Sequence, residues 1–304
     1  MKEVSGYAHP AYAASLSEFG TPRLLPRSGG WILERRIPGC QERDAMGCYP
    51  LFACQRWSEL HADLEDIDGD LVSLALVTDP FGAYDLETLR SCFPDKVVPF
   101  KQHFVVDLSY RPDAAVHKHH QRNARKALRI IDVELCIKPD SFLDEWHELY
   151  AHLISRHDVS GLIAFSKESF ARQLAVDGLV MFRATHEGKS VGMLLWYVQD
   201  RIGYYHLGAY NEDGYRLSAS FALFWRALEH FSAQRLAWLN LGAGAGVKGE
   251  NDGLTRFKSG WATGTRVAYL CGRIFDRERY AAMVAGRNVQ GTGYFPAYRK
   301  GEFE

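Results

Sequence analysis

The sequence predicts a mixed α/β fold, built mostly from antiparallel sheets flanked by helices. Three observations carry this expectation. The apolar runs Leu179–Thr185, Val191–Val198 and Ile202–Tyr210 are separated by the polar turns Glu187-Gly188-Lys189 and Gln199-Asp200-Arg201, the pattern of a three-strand meander. Other segments space their apolar residues at helical intervals, as Phe142, Trp146, Leu149 and Leu153 do. The composition is that of a globular protein: 47% hydrophobic and 24% charged over 304 residues, which allows about two ordinary domains and excludes disordered and fibrous classes.

Taken in order, residues 1–30 are rich in Ala, Ser, Gly and Pro and read as an irregular lead-in. Trp31–Ile37 and Tyr49–Gln55 read as strands, and Trp57–Ile67 as a helix through Trp57, Leu60, Leu64 and Ile67. Leu71–Val77 is a buried strand closed by Thr78-Asp79-Pro80; Leu86–Phe93 reads as a short helix and Phe104–Leu108 as a strand. Ala114–Ile131 contains neither Pro nor Gly and is expected as one helix, with Arg122, Arg125 or Lys126, and Arg129 sharing a face. Helices are expected at Phe142–His157 and Phe170–Val176, the latter preceded by the potential caps Ser166 and Ser169. After the meander, Ser218 or Ser220 can cap a helix running to about Phe231. Ala237–Leu241 is a short strand entering the glycine-rich Gly242–Gly246. A helix near Leu254–Gly260, a strand at Arg266–Cys271, a helix at Asp276–Ala285 and a polar tail from Gly286 complete the chain.

The net charge of -1, from 36 basic and 37 acidic residues, argues against wholesale binding of nucleic acid or membrane. That neutrality is a cancellation: Arg111–Arg129 holds six Lys/Arg against Asp113 and carries +5, leaving -6 elsewhere. One phosphate-sized basic face is therefore permitted. The longest strongly apolar stretch, Met193–Val198, is too short for a bilayer span of about 20 residues, so no integral membrane segment is expected. The N-terminus shows no signal-peptide pattern, which points to a cytoplasmic protein. Cys40, Cys48, Cys54, Cys92, Cys136 and Cys271 form no C-x-x-C pair and are expected as reduced thiols. His117, His119 and His120 lack the i, i+4 spacing of a helical metal pair, so no metal is expected.

The order helix, helix, three antiparallel strands, helix, strand, helix, strand resembles that of the GNAT acyltransferases. Four motifs sharpen the resemblance. His117-Lys118-His119-His120-Gln121-Arg122-Asn123-Ala124-Arg125-Lys126-Ala127-Leu128 is similar to the R-N-x-R-K-A helix of the Fem-type (peptidoglycan-bridge aminoacyltransferase) branch. Tyr205-His206-Leu207-Gly208-Ala209 looks like its fourth strand, and Leu239-Asn240-Leu241-Gly242-Ala243 like its D-L-G-G strand end. Gly253-Leu254-Thr255-Arg256-Phe257-Lys258-Ser259-Gly260-Trp261 resembles its G-L-x-x-F-K-x-x-F/W signature. The likeness spans roughly 111 to 285. It implies two GNAT-like lobes, a degenerate first one over 1–110 and the acyltransferase domain over 111–285, with 286–304 as a C-terminal tail.

The same resemblance implies transfer of an acyl or aminoacyl group from acyl-CoA or aminoacyl-tRNA to an amine. The acceptor would be a small molecule or a cell-envelope or polysaccharide precursor, with no tightly bound cofactor and tRNA as a possible partner. In such a fold the central strands, here Ile202–Tyr210 and Ala237–Leu241, splay apart and free backbone N–H groups, and the site is expected between the two halves. The resemblance places Phe257 and Lys258 in the transfer channel, with Lys258 stabilising charge on the acyl oxygen. His206 titrates in the right range for a general base; Glu250 and Asp252 are alternatives. Tyr205 or Tyr210 could protonate a leaving thiolate. Arg122, Arg125, Lys126, Arg129, Arg216 and Asn240 are candidates for binding donor or acceptor. The sequence departs from ordinary GNAT proteins at Tyr215–Ser220, where Arg216 stands without the glycines of a CoA pyrophosphate loop. A catalytically inactive GNAT-like binding module is the alternative reading, and an RNA-binding role a third.

Overall fold

The computed structural model describes residues 4–67, 69, 71–157, 161, 164–244 and 253–302. The fold is mixed α/β, and the chain divides into two compact units. The first comprises residues 7–101, 161–163 and 267–304; the second comprises 1–6, 102–160 and 164–266. Two long strands cross this division.

The first unit contains α1 (Pro10–Ser15), β1 (Thr21–Leu25), β2 (Gly30–Arg36), β3 (Arg43–Gly47), α2 (Leu60–Asp66), β4 (Ser73–Val77) and α3 (Leu86–Cys92). Its sheet runs β1-β2-β3-β4, antiparallel except for the parallel β3–β4 pair, and β4 pairs antiparallel with β11 (Gly264–Ile274). Leu25, Ile32, Phe52, Trp57, Leu60, Leu74, Leu89 and Cys271 build its core. β1 and α1 replace the irregular lead-in expected there. The expected strand at Tyr49–Gln55 is absent: Leu51, Phe52, Ala53 and Cys54 are buried, but the segment forms an isolated bridge, Phe52 to Thr78, and no ladder.

The C-terminal residues belong to this unit as well. After α11 (Arg277–Gly286) the chain docks Tyr298 and Arg299 on Asp44, which is fully buried on β3. The Arg299 guanidinium donates through both Nε and Nη2 to the two Asp44 oxygens, at 2.5 and 2.8 Å, and Tyr298 adds a third bond at 3.1 Å. A buried carboxylate needs such pairing to avoid a large desolvation cost. The tail is therefore anchored, which its polar composition did not reveal.

The second unit begins on β5 (Lys96–Asp107), twelve residues long, where the sequence suggests five. There follow α4 (Pro112–Ala115), α5 (Lys118–Ala127), β6 (Asp132–Cys136), α6 (Leu143–His157) and α7 (Lys167–Gln173). The expected meander is β7 (Leu179–His186), β8 (Lys189–Gln199) and β9 (Ile202–Tyr210); α8 (Glu212–Arg216), α9 (Ala219–Ala233), β10 (Trp238–Gly242) and α10 (Gly253–Ser259) come next. The strand order is β5-β10-β9-β8-β7-β6, antiparallel except for β10–β9.

Ser166 caps α7 as expected, its Oγ accepting from Ser169 N–H at 3.0 Å. Ser218 does not cap α9: it adopts a left-handed conformation with no side-chain bond to the helix, and Asn211 instead caps the short α8. The single helix expected over 114–131 is broken at Val116-His117, both extended, with His117 Nδ1 accepting from His119 N–H at the start of α5. On one face of the sheet Trp196, Phe224, Phe231, Leu239, Leu241 and Trp261 build the core between strands and helices α5 and α9. Among the described residues no helix is long and apolar enough to cross a membrane.

Candidate acyl-transfer site

The site is built where β10 stops. β9 and β10 pair in parallel through Ile202/Trp238, Gly203/Leu239 and Tyr204/Asn240, and β9 then continues to Tyr210 paired with β8. The reason lies in Asn240. Its buried Oδ1 accepts from Gly242 N–H at 2.9 Å, a side-chain turn that competes with the ladder. Gly242 takes a φ of +72°, open to glycine at little cost, and the β10–β5 register shifts between Asn240 and Gly242. The pairing of the two central strands thus ends at Tyr204 and Asn240, where the resemblance implies that they splay apart.

Lys258 on α10 fills this end of β10. Its residue is only 5% exposed, and Nζ donates to Ala243 O at 2.6 Å. A Cβ at position 242 would stand 3.2 Å from Nζ, a tight contact with the lysine tip added to the demand of the positive φ. The ammonium also lies 5.4 Å from the Tyr205 ring centroid, a cation–π distance. Together the carbonyl and the ring offset part of the desolvation cost of the charge. Tyr205 is held by Trp196 and Phe224, and burial pushes its phenol pKa up. It is a poor acid in this resting form. Phe257 packs edge-on to Phe221 and Phe224 at 5.1 and 4.9 Å, fixing the turn of helix that presents Lys258. Lys258, Tyr205, Phe257 and Asn240 are thus brought to one place.

His206 is not among them. Strand alternation turns it to the other face of β9, where Nε2 meets Gln173 Oε1 at 3.0 Å between Tyr197 and Phe165. Burial lowers its pKa to about 3, which keeps the ring neutral and removes it as a base working with Lys258. Arg216 pairs with Asp213 on α8 at 2.7 Å, and this bond holds the Asp213 carboxyl below its ordinary range. Arg122, Arg125 and Lys126 are exposed on α5, while Arg129 lies beyond the helix end; none makes an ion pair among the described residues. Gly246, Glu250 and Asp252 lie outside the described residues.

Two histidines missing from the expected site stand beside it. His103 on β5 is buried and its Nδ1 lies 3.0 Å from Asn240 Oδ1, an acceptor, so Nδ1 carries the proton. His120 on α5 donates from Nε2 to Phe257 O at 2.9 Å. Each bond spans 137 residues of sequence, so local pattern could not reveal it. Among the described residues no group of three or more His, Cys, Asp and Glu is placed to hold a metal ion.

The family described as an acetyltransferase (GNAT) domain matches residues 114–259. No curated protein matches the chain. Among solved structures, FemX superposes with a TM-score of 0.65 at 12% identity, covering 90% of this chain and 95% of its own. The C-terminal domain of a protein assigned as a lysylphosphatidylglycerol synthetase from Agrobacterium fabrum gives 0.59 at 16% identity, with 92% of each chain covered. L-PGS from Bacillus licheniformis gives 0.55 at 16% identity, covering 94% of this chain and 98% of that one. At these identities the likeness is one of fold.

Proposed function

Because residues 114–259 carry a GNAT acetyltransferase domain, in a chain whose fold is shared with FemX, we propose that the protein is an N-acyltransferase working at the end of β10. The observation that carries this reading is the buried Lys258 ammonium, set where β9 and β10 part. An activated acyl group entering the notch brings its carbonyl oxygen to Nζ, whose three protons include one held by Ala243 O. The acceptor nitrogen attacks the acyl carbon, the C–N bond forms, and negative charge gathers on the oxygen. A buried cation stabilises that charge far more than water would. The tetrahedral species then collapses, breaking the bond to the thiolate or ribose oxygen of the donor. The amine proton passes to a base and the leaving group is protonated. Direct transfer, without a covalent enzyme intermediate, suits a site whose cysteines stand outside it.

The donor is acyl-CoA or aminoacyl-tRNA, and the exposed basic face of Arg122, Arg125, Lys126 and Arg129 binds a phosphate of donor or acceptor. The acceptor amine belongs to an envelope or polysaccharide precursor; the name lysylphosphatidylglycerol synthetase, borne by a structural neighbour, supports aminoacyl transfer at a phosphate-bearing substrate. Transfer from acetyl-CoA and from aminoacyl-tRNA to a panel of amine-bearing precursors tests the reading. Lys258→Met should lower kcat about 100- to 1000-fold with KM little changed, the usual effect of losing one charge-stabilising donor. Unaltered kcat in that variant would reject the role of Lys258.

A further inference from the structure

α5 and the Lys258 turn are joined at a histidine. His120 is 7% exposed, and its ring lies against Phe221, Phe257 and Trp261 at centroid distances of 5.0, 5.7 and 5.3 Å. Its Nε2 faces the Phe257 carbonyl at 2.9 Å, and a carbonyl only accepts, so Nε2 carries the proton. Nδ1 is buried with no hydrogen-bond partner among the described residues. The ring is also fitted to the backbone just past Lys258: a Cβ at Gly260 would fall 2.1–2.5 Å from three of its atoms. His117 N–H donates to Gly260 O at 2.9 Å. The start of α5 therefore grips residues on both sides of Lys258, the carbonyl just before it and the glycine two places after.

We propose that His120 is a positioning residue for Lys258, acting as a neutral, single-tautomer donor that holds the Phe257–Gly260 turn so that Nζ stays at the end of β10. A purely apolar ring would fill the same space but leave the Phe257 carbonyl without this donor. A charged imidazole would add a buried N–H at Nδ1 that finds no acceptor. The surroundings agree: His117 and His119 are the titratable groups facing it from its own segment, while α9 presents Phe221 and the Lys258 segment presents Phe257 and Trp261. Burial foremost, then the two histidines, lower its pKa against the pull of the Phe257 carbonyl. The importance of this placement rests on the role given to Lys258 above; the placement itself is measurable without any substrate.

Acetylation of Lys258 by acetic anhydride, quantified by peptide mass spectrometry, reads the accessibility of Nζ. In His120→Phe, which keeps the ring but not the donor, labelling should rise by about fivefold, the shift expected from one lost hydrogen bond. In His120→Gln, whose amide can reach the same carbonyl, it should stay at the wild-type level. The buried Cys136 thiol, probed in parallel, should remain protected in all three proteins. The imidazole 15N spectrum of the wild type should show the Nε2–H form. Unchanged labelling in His120→Phe, exposure of Lys258 in His120→Gln, or an Nδ1–H form would each overturn the proposal; the last two decide it even if His120→Phe does not fold. Retained transfer in Lys258→Met would reject the catalytic reading and leave these labelling results standing.

Discussion

A single buried histidine shows how this protein uses chemistry for structure. His206 has the residue type of a base, yet its partner is the Gln173 amide, and that amide is itself tied to Ser169 at 3.0 Å. The neutral ring is therefore part of the packing of β9 against α7. Because its folded pKa of about 3 lies below the unfolded value of 6.5, the unfolded chain binds the proton more readily. The stability this represents is complete above pH 6.5 and is lost as the pH falls toward 3. The slope can reach about 1.4 kcal/mol per pH unit. Urea unfolding between about pH 4 and 7 should show this loss in the wild type and a flatter profile in His206→Gln. Parallel profiles would mean that His206 is protonated in the folded protein.

At the scale of elements, α5 presents two contrasting faces. Ala124 and Ala127 are buried against the core, while Arg122, Arg125 and Lys126 stand in solvent. Exposed arginines with no ion pair among the described residues contribute little to stability, so replacing Arg122, Arg125 and Arg129 together with alanine should leave Tm almost unchanged. If the face binds substrate phosphate, each lost charged contact costs about 1–2 kcal/mol, and the triple variant should raise the apparent Kd of CoA or tRNA at least tenfold. Equal affinity for both ligands would assign the face to solvent alone. The legibility of the elements obeys the same division between local and distant causes. The meander is readable because Leu194 and Trp196 face the core on one side of β8 and each turn carries its own Gly or polar signal. β5 reads short because Pro99, Lys101, Gln102 and His103 interrupt its apolar pattern. Tyr49–Gln55 reads as a strand because burial without pairing leaves the same apolar signature as a ladder. Lys258 and Tyr205 are legible through motif resemblance, whereas His103 and His120 depend on contacts that only the folded chain creates.

For the whole molecule, the chain makes two compact units, each with a core of its own, and β5 and β11 carry it from one to the other. The proposed acyl-transfer site, from Tyr205 and Asn240 to Phe257 and Lys258, lies within the second unit, as does the basic helix. In the first unit the chain end is fastened by Arg299 on Asp44, which neutralises a buried charge that β3 would otherwise leave in a low-dielectric core. The central claim is that the acyl carbonyl is held at Lys258 where β9 and β10 part. A crystal structure with a non-transferable acyl-CoA analogue, and a second with a stable aminoacyl-adenosine mimic of a tRNA end, measures it most directly. In at least one of them the acyl oxygen should lie about 3 Å from Lys258 Nζ, between β9 and β10. An acyl group seated elsewhere in both, with Lys258 Nζ still on Ala243 O, would contradict the account.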